Sequence, residues 1–133
     1  MNSTYWLNTV MDAMYVNSTG EFYLGLSSTL PNKDGSNVSE PTGTSYARVK
    51  INSFTAAVDG TIYNTETLTF PKSTEVWFPS DAKAAYWVLF DGNGNFLSAG
   101  ELNEPKTIES STTLSIEAET LGITLMDYDP NLA

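Results

Sequence analysis

Short apolar runs separated by Gly, Pro, Asn and Asp make up the chain from Glu21 onward, which predicts β-strands joined by turns. Within a run the polarity alternates: Ile116 is apolar, whereas its neighbours Ser115 and Glu117 are polar. The predicted strands are EFYLGLSS, SYARVKIN, GTIYN, ETLTFP, AAYWVLFD, NFLSAGEL, TTLSIEAE and LGITLMD. About eight strands at this spacing predict an all-β fold, an antiparallel sandwich or barrel, and we expect a β-sandwich of jelly-roll or immunoglobulin-like type.

The first 20 residues differ, because their pattern predicts a short amphipathic helix. Ser3 or Thr4 can cap its start, and residues 17–20 can end it. Its apolar side has helical spacing, at Leu7, Val10, Met11 and Met14. We interpret this helix either as a lid over one end of the core or as an interaction helix that presents Tyr5 and Trp6 to a partner.

Two irregular segments are candidate contact surfaces. The longer one, residues 29–45, contains Pro, Gly and side chains that hydrogen-bond their own backbone, and loops of this length are usually functional or mobile. Lys33 and Asp34 are its candidate interface residues. The second segment carries Trp77 and Phe78, and large aromatics in a loop either anchor it to the core or mark an interface. We favour anchoring for Trp77, leave Phe78 open, and keep both as candidate interface residues.

At 133 residues, the chain has the size of one domain, and we predict a single β-sandwich over residues 1–133 with a helical segment at 1–20 and a polar tail at 127–133. A folded chain of this size buries roughly two-thirds of the surface that its extended form exposes, so a sizeable core is possible. The sequence contains no cysteine and no histidine. This excludes disulfides, thiolate zinc sites, cysteine nucleophiles and histidine-dependent triads.

The charge balance is strongly acidic, with 16 Asp and Glu against six scattered Lys and Arg, a net charge of −10. Nucleic-acid binding needs a basic face and is disfavoured. The acidity favours a basic partner surface and makes free copies repel one another. No apolar run approaches the roughly 18 residues of a membrane span, and the N-terminus lacks the pattern of a signal peptide. We therefore expect that the protein is made in the cytoplasm and does not associate with a membrane.

One acidic stretch has the look of a calcium loop. The first, third and fifth positions of an EF-hand loop would be filled by Asp91, Asn93 and Asn95. The sixth position, however, is Phe96 instead of glycine, and the twelfth is Leu102 instead of glutamate. A hairpin in which residues 91–94 supply positive φ angles explains the stretch better, because turns favour the same residue types. We predict no metal site and no cofactor.

Catalytic and sugar-binding interpretations rest on few residues. Two-carboxylate glycoside hydrolysis needs a suitable pair, yet nothing in the sequence singles one out, and no phosphate-binding glycine loop or serine elbow is present. We predict that the protein is not an enzyme. Tyr86 and Trp87 are consecutive in a predicted strand, so they point to opposite faces and only one can easily be core. The candidate sugar-binding platform consists of Trp77, Phe78, Tyr86 and Trp87.

Taken in order, several segments resemble a family of small bacteriophage virion proteins, often described as tail-fibre-like or minor structural proteins. They are a short N-terminal helix, FYLGLSSTLP before an acidic Gly-rich loop, EPTGTSYARVKI, GTIYNTETLTFP, an isolated Trp77, WVLFDGNGNFLSAGEL before PKTI, and TTLSIEAETLGITL. The resemblance covers about residues 5–125 and is most specific at residues 41–48 and 90–105. One departure is the longer, more polar stretch at residues 78–83.

The resemblance implies a non-enzymatic β-sandwich that serves as a structural component of a phage particle, with no catalytic residues to carry over. It implies synthesis in the bacterial host cytoplasm and a place on the virion, as capsid decoration or as a tail-fibre or baseplate component. The implied partners are other virion proteins, such as the major capsid or tail protein, and copies of itself in a homo-oligomer or symmetric array. A carbohydrate- or host-surface-binding module is the alternative. The candidate interface residues are Tyr5, Trp6, Trp77, Phe78, Lys33 and Asp34.

Overall fold

Strands make up most of the regular structure in the computed structural model, which describes residues 1–79 and 81–125. Over that part of the chain there are one α-helix and eight strands: α1 Thr4–Met11, β1 Phe22–Ser27, β2 Val49–Ile51, β3 Thr61–Tyr63, β4 Leu68–Thr69, β5 Ala84–Asp91, β6 Phe96–Lys106, β7 Ser115–Ile116 and β8 Gly122–Thr124. The predicted all-β class, with about eight strands in antiparallel sheets and a short N-terminal helix, is confirmed and is consistent with a sandwich-like fold. The predicted polar tail at 127–133 lies outside the described residues.

The chain divides into two compact units, each assembled from separate stretches of sequence. Within the described residues, the first unit contains Met1–Thr19, Asn52–Thr67 and the stretch 116–125. The second unit contains Gly20–Ile51 and Leu68–Ser115. The prediction of a single domain over the whole chain stays a prediction.

A four-stranded sheet in the order β2-β1-β5-β6 lies at the centre of the second unit. β1 and β5 are its inner strands, with Leu24 opposite Leu89 and Leu26 opposite Trp87. Most side chains on both faces of these strands are buried, which explains why their sequences are apolar almost without interruption. Strands β4 and β7 form a separate two-stranded sheet.

The aromatic pair on β5 follows the predicted alternation. Trp87 is buried, whereas Tyr86 is only partly buried. Trp87 lies opposite Gly100 of β6, and a Cβ atom added to Gly100 would lie 2.6 Å from the indole ring. Because Gly100 has no side chain, the Trp87 indole can pack directly on the backbone of β6.

The strand predicted over residues 45–52 forms only at its end, as β2. Before it, the Tyr46 amide donates a hydrogen bond to the Gly43 carbonyl at 3.3 Å, and the Tyr46 hydroxyl donates to the Glu40 carboxylate at 2.6 Å. These local bonds give the segment an alternative to a strand ladder, so the alternating pattern overestimates the length of the strand.

A tight hairpin turn joins β5 to β6. The Asp91 amide donates to the Asn95 carbonyl at 3.0 Å, and Gly94 has a φ angle of 83°, the geometry of a three-residue loop that ends in a left-handed glycine. Asp91 Oδ1 accepts hydrogen bonds from the backbone amides of Asn93 and Asn95, and Asp91 Oδ2 accepts one from the Asn95 side chain. The Asn95 side chain contributes most to lowering the pKa of Asp91. The predicted hairpin is confirmed with one correction: within residues 91–94 only Gly94 has a positive φ angle.

In the first unit, β3 pairs with β8, and Ile62 lies opposite Ile123. The edge of the Tyr15 ring meets Phe54, with centroids 5.6 Å apart, and burial raises the pKa of Tyr15. The buried apolar residues of this unit are Met11, Phe54, Ile62, Leu121 and Ile123. They come from all three of its sequence stretches, so the N-terminal helix contributes to its core through Met11.

Candidate interaction surfaces

Helix α1 exposes two large aromatic side chains. Its start is capped by Ser3, whose hydroxyl accepts a hydrogen bond from the Trp6 amide at 3.1 Å, as predicted. The exposed fractions are 78% for Tyr5 and 54% for Trp6, whereas Met11 is buried. The inner side of the helix fits the lid interpretation, and its outer side is available for an interaction.

The helix continues beyond Met11 as one π-helical turn, Asp12–Val16. A π-turn contains about one residue more than an α-turn, so the side chains that follow are rotated relative to an α-helical pattern. Met14, predicted on the apolar side, is 58% exposed, while Tyr15 is partly buried. The prediction for Met14 is wrong because it assumed α-helical periodicity throughout.

Two polar side chains of this segment hold the helix in place within the first unit. Asn8 Oδ1 accepts a hydrogen bond from the Gly60 amide at 2.7 Å, and Asp12 Oδ1 accepts one from the Ala57 amide at 2.8 Å. Residues four positions apart share one face of a helix, so both bonds act on the same side. The end of the helix that carries the exposed aromatics therefore has a fixed orientation relative to residues 57–60.

The segment that receives these bonds is itself a tight turn. Val58 and Thr61 exchange two backbone hydrogen bonds of 3.0 Å, and the φ angles of Asp59 and Gly60 are 52° and 76°. Positive φ angles at both central residues are those of a type I′ turn, for which Asp-Gly is a preferred pair. Val58 is 67% exposed. The helix is thus attached to a defined turn.

At the other end of β3, the buried side chain of Asn64 organises two loops. Its Nδ2 donates to the backbone carbonyls of Glu66 and Glu117, at 2.8 and 3.0 Å. The backbone carbonyl of Asn64 accepts from the Glu119 amide at 2.8 Å, and its Oδ1 accepts from the Leu121 amide at 2.9 Å. Only backbone atoms of the three glutamates are used, and their side chains are exposed. Three glutamates therefore bind one buried amide through their backbones, while their side chains are exposed.

The two units differ in charge. The described stretches of the first unit contain five acidic residues and none of the six basic ones. Its acidic residues in the described part of the chain are Asp12, Asp59, Glu66, Glu117 and Glu119. The basic residues look scattered along the sequence, and only the fold shows that all of them belong to the second unit.

The loop over residues 29–45 belongs to the second unit and is held by hydrogen bonds. Ser27 is buried at the end of β1, and its hydroxyl accepts a hydrogen bond from the Ser39 amide at 3.0 Å and donates one to the Thr29 carbonyl at 2.7 Å. Within the loop, Asn37 Nδ2 donates to the Leu30 carbonyl at 2.9 Å. The predicted loop is confirmed and has its own polar framework.

Lys33 and Asp34 are both exposed on this loop. Asp34 Oδ1 accepts hydrogen bonds from the hydroxyl and the amide of Ser36, at 2.6 and 3.0 Å, and these bonds lower the pKa of Asp34. Among the ion pairs of the described residues, none involves Lys33. The loop therefore presents one cation and one hydrogen-bonded carboxylate to solvent.

A charged contact closes this loop against the sheet. Arg48 and Glu40 form an ion pair with a 2.6 Å N–O distance, and the guanidinium lies 3.5 Å from the centroid of the Phe90 ring. The same carboxylate accepts the Tyr46 hydroxyl bond, and that hydroxyl accepts a bond from the Leu26 amide at 3.1 Å. Burial, and then the bond to Glu40, raise the pKa of Tyr46 above the ordinary tyrosine range.

Trp77 and Phe78 lie in the interior, with exposed fractions of 1% and 4%. The indole Nε1 of Trp77 donates to the Ser45 hydroxyl at 2.9 Å, and this hydroxyl donates to Glu75 Oε1 at 2.8 Å. Anchoring, favoured for Trp77, is confirmed and holds for Phe78 as well. Neither aromatic ring is accessible at the protein surface.

The sugar-binding platform does not form. Of its four proposed aromatics, Trp77, Phe78 and Trp87 are buried, and only Tyr86 is partly accessible. Within the part of the chain that the structure describes, no group of three or more carboxylates could hold a metal ion. No helix in residues 1–79 or 81–125 is long and apolar enough to cross a membrane. Tyr5 and Trp6 are therefore the exposed members among the predicted aromatic interface residues.

Sequence reasoning overlooked the residues that fix the helix. The signal was present: Asn8 and Asp12 are polar residues four apart beside an apolar helical pattern, and Asp59-Gly60 is a typical hairpin dipeptide. The sequence did not show that these two features would contact each other, because Asn8 and Gly60, which form a hydrogen bond, are 52 residues apart in the chain.

The sequence model of one protein family, described as Podophage GP4 fiber I protein gp80, matches residues 1–124. The match extends through stretches of both units. No curated protein matches the chain.

Proposed function

The chain belongs to the podophage GP4 fiber I protein family, and from this premise we propose that it is a non-enzymatic structural component attached to the phage particle by protein–protein contacts. Membership implies a place in the virion and association with other virion components. We assign the protein to a fibre or a neighbouring tail element. Capsid decoration is the competing location.

The observation that carries the attachment proposal is the exposure of Tyr5 and Trp6 on a helix of fixed orientation. Aromatic side chains of this kind bury about 150–250 Å² each and are enriched among the residues that dominate binding energy. The hydrogen bonds that Asn8 and Asp12 accept hold the helix in the absence of a partner. A surface that is already ordered loses less conformational entropy on binding than a flexible one.

Several copies on a symmetric particle would strengthen a modest contact. When binding sites are linked on one assembly, each further contact is effectively intramolecular, and avidity can exceed the affinity of one site by about 10²–10⁴. We propose that the loop at residues 29–45, with Lys33 and Asp34 exposed, is a secondary contact made by the second unit. Trp77 and Phe78 contribute to such a contact only by anchoring their segment.

Mass spectrometry of purified particles tests the proposed function. We expect the protein in a fixed ratio to the other virion proteins, and its absence from particles would contradict the proposal. A host-surface glycan is the second candidate ligand, because Tyr5 and Trp6 are exposed rings on which a sugar could stack. A glycan array with the wild type and Trp6→Ala separates the two: loss of a glycan signal in Trp6→Ala would favour the second candidate.

A further inference from the structure

The chemistry of the partner follows from the charge of the unit that carries α1. We propose that α1 docks on a basic surface of another virion protein, with Tyr5 and Trp6 in an apolar depression bordered by Lys or Arg. This inference rests on the proposed function and adds the nature of the partner surface to it.

The first unit offers a partner only one sign of charge. Apart from the chain's amino terminus, it contains no basic group, because none of the six Lys and Arg lies in its sequence stretches. The ion pairs among the described residues, Glu40 with Arg48, Glu21 with Lys50 and Glu104 with Lys106, all lie in the second unit. The acidic groups of the first unit are therefore not neutralised within it, and they favour a cationic surface.

One acidic residue adjoins the turn that holds α1, and three more lie around the other end of β3. Asp59 is exposed and adjoins Gly60, whose amide binds Asn8 of the helix. Glu66, Glu117 and Glu119 surround Asn64, four residues further along the chain. At about 3.3 Å per residue along a strand, Gly60 and Asn64 are about 13 Å apart. That separation exceeds the Debye length of about 10 Å at 0.1 M salt but is shorter than the roughly 30 Å at 0.01 M, so these charges contribute to the field near the helix mainly at low salt.

A second copy of the chain is the weaker candidate for this surface. Each copy has a net charge of −10, and the second unit, which holds all the basic residues, still has more acidic than basic ones. Arg48, Lys50 and Lys106 already have carboxylate partners within the chain. Docking α1 on another copy would thus bring net like charges together, which opposes association.

The experiment uses particles that lack this protein, obtained from a phage with its gene deleted, and the purified full-length chain. Association is followed at about 0.05 M and about 0.5 M salt, where screening is weak and strong. The test variant is Glu66→Gln/Glu117→Gln/Glu119→Gln, which keeps the backbone hydrogen bonds around Asn64. Its matched control is Glu101→Gln/Glu104→Gln/Glu109→Gln, which removes the same charge from exposed side chains of the second unit. Asp59→Asn is an independent second variant, since Asn tolerates a positive φ angle.

We expect the wild type to bind the deficient particles and to associate more slowly at high salt. The test variant should associate about tenfold more slowly than the wild type at low salt, because charges around an interface act mainly on the association rate. The control should stay within about twofold of the wild type. Asp59→Asn should lie between them.

Binding that is insensitive to salt, or slowed equally by both triple variants, would overturn the basic-partner inference and leave the proposed function standing. Self-association of the wild type through α1, lost in Trp6→Ala without any particle binding, would identify a second copy as the occupant and also overturn it. Absence of the protein from wild-type particles, together with no binding to deficient ones, would overturn the proposed function itself.

Discussion

The Gly60 amide donates a hydrogen bond to the Asn8 side chain across 2.7 Å, which joins the first helix to a turn 52 residues further along the chain. Gly60 is one of the two central residues of that turn, so its amide is aimed by the turn geometry. The contact matters because Tyr5 and Trp6 lie one turn or less before Asn8. An exposed aromatic pair on a fixed helix is a preformed binding surface, whereas the same pair on a frayed terminus would have to be ordered on binding.

Replacing Asn8 by alanine should destabilise the first unit. The change leaves the partly buried Gly60 amide without its acceptor, which costs about 1–3 kcal/mol. Chemical denaturation measures the loss, and faster hydrogen exchange at Gly60 locates it. Thr9→Ala is the matched control on the exposed side of the helix, and we expect little or no loss, because alanine has the higher helix propensity. Equal effects of the two substitutions would show that the Asn8 bond does not hold the helix.

Adding a methyl group at Gly100 should strain the sheet of the second unit. The new Cβ would lie 2.6 Å from the Trp87 ring, closer than such contacts allow, and overpacking of this kind costs about 1–3 kcal/mol. Gly92→Ala is the control, because its Cβ would meet Glu21 at an ordinary 3.4 Å. The midpoint of urea unfolding should fall for Gly100→Ala and stay near the wild type for Gly92→Ala. A normal midpoint for Gly100→Ala would mean that the indole moves aside freely.

Stability should decrease at alkaline pH partly because of Tyr46. Burial and the bond to Glu40 raise the pKa of Tyr46 in the folded protein, whereas an unfolded tyrosine has a pKa of about 10. A raised folded pKa stabilises the protein fully below pH about 10, and this contribution is lost as the pH rises further, at up to about 1.4 kcal/mol per pH unit.

Tyr46→Phe removes that titration. The variant should be less stable than the wild type at pH about 8, because the Leu26 amide loses an acceptor, and the difference should shrink toward pH about 11. Tyr15 and Tyr23, whose pKa values are also raised, should leave a residual alkaline loss in both proteins. A difference that stays constant over this range, measured by urea unfolding at each pH, would contradict the assignment to Tyr46.

Calcium should have no effect on the hairpin between β5 and β6. The carboxylate of Asp91 already accepts hydrogen bonds from the Asn93 amide and from the amide and side chain of Asn95, so a cation would have to displace turn contacts. We expect the melting temperature to be the same with millimolar CaCl₂ and with a chelator. A rise with CaCl₂ that disappears in Asp91→Asn would show that the turn binds the ion.

Strand positions could be predicted from the sequence because alternation and turn residues are local signals. All eight predicted runs contain a strand, and β5 matches its run in full. The ends were less predictable, as at β2, where the Tyr46 and Glu40 side chains compete with the ladder. The π-turn after Met11 also has no local signal, so the exposure of Met14 was missed.

The candidate surface was only half predictable. Ser3 and the helical spacing indicate a helix that exposes Tyr5 and Trp6, and the structure has both exposed. The bond between Asn8 and Gly60, and the gathering of acidic residues without any basic one in the first unit, depend on contacts between distant stretches of sequence. No local pattern encodes which distant segment a polar side chain will meet.

The most direct test of attachment through α1 is the copy number of Tyr5→Ala/Trp6→Ala in purified particles, measured by quantitative mass spectrometry beside the wild type. Val76→Ala, which truncates an equally exposed apolar side chain of the second unit, is the control. Truncating a dominant aromatic contact costs at least about 2 kcal/mol, so the double variant should fall to about one-tenth of the wild-type copy number or less, while Val76→Ala stays at the wild-type level. A double variant that folds normally and is incorporated at the wild-type copy number would contradict attachment through this helix.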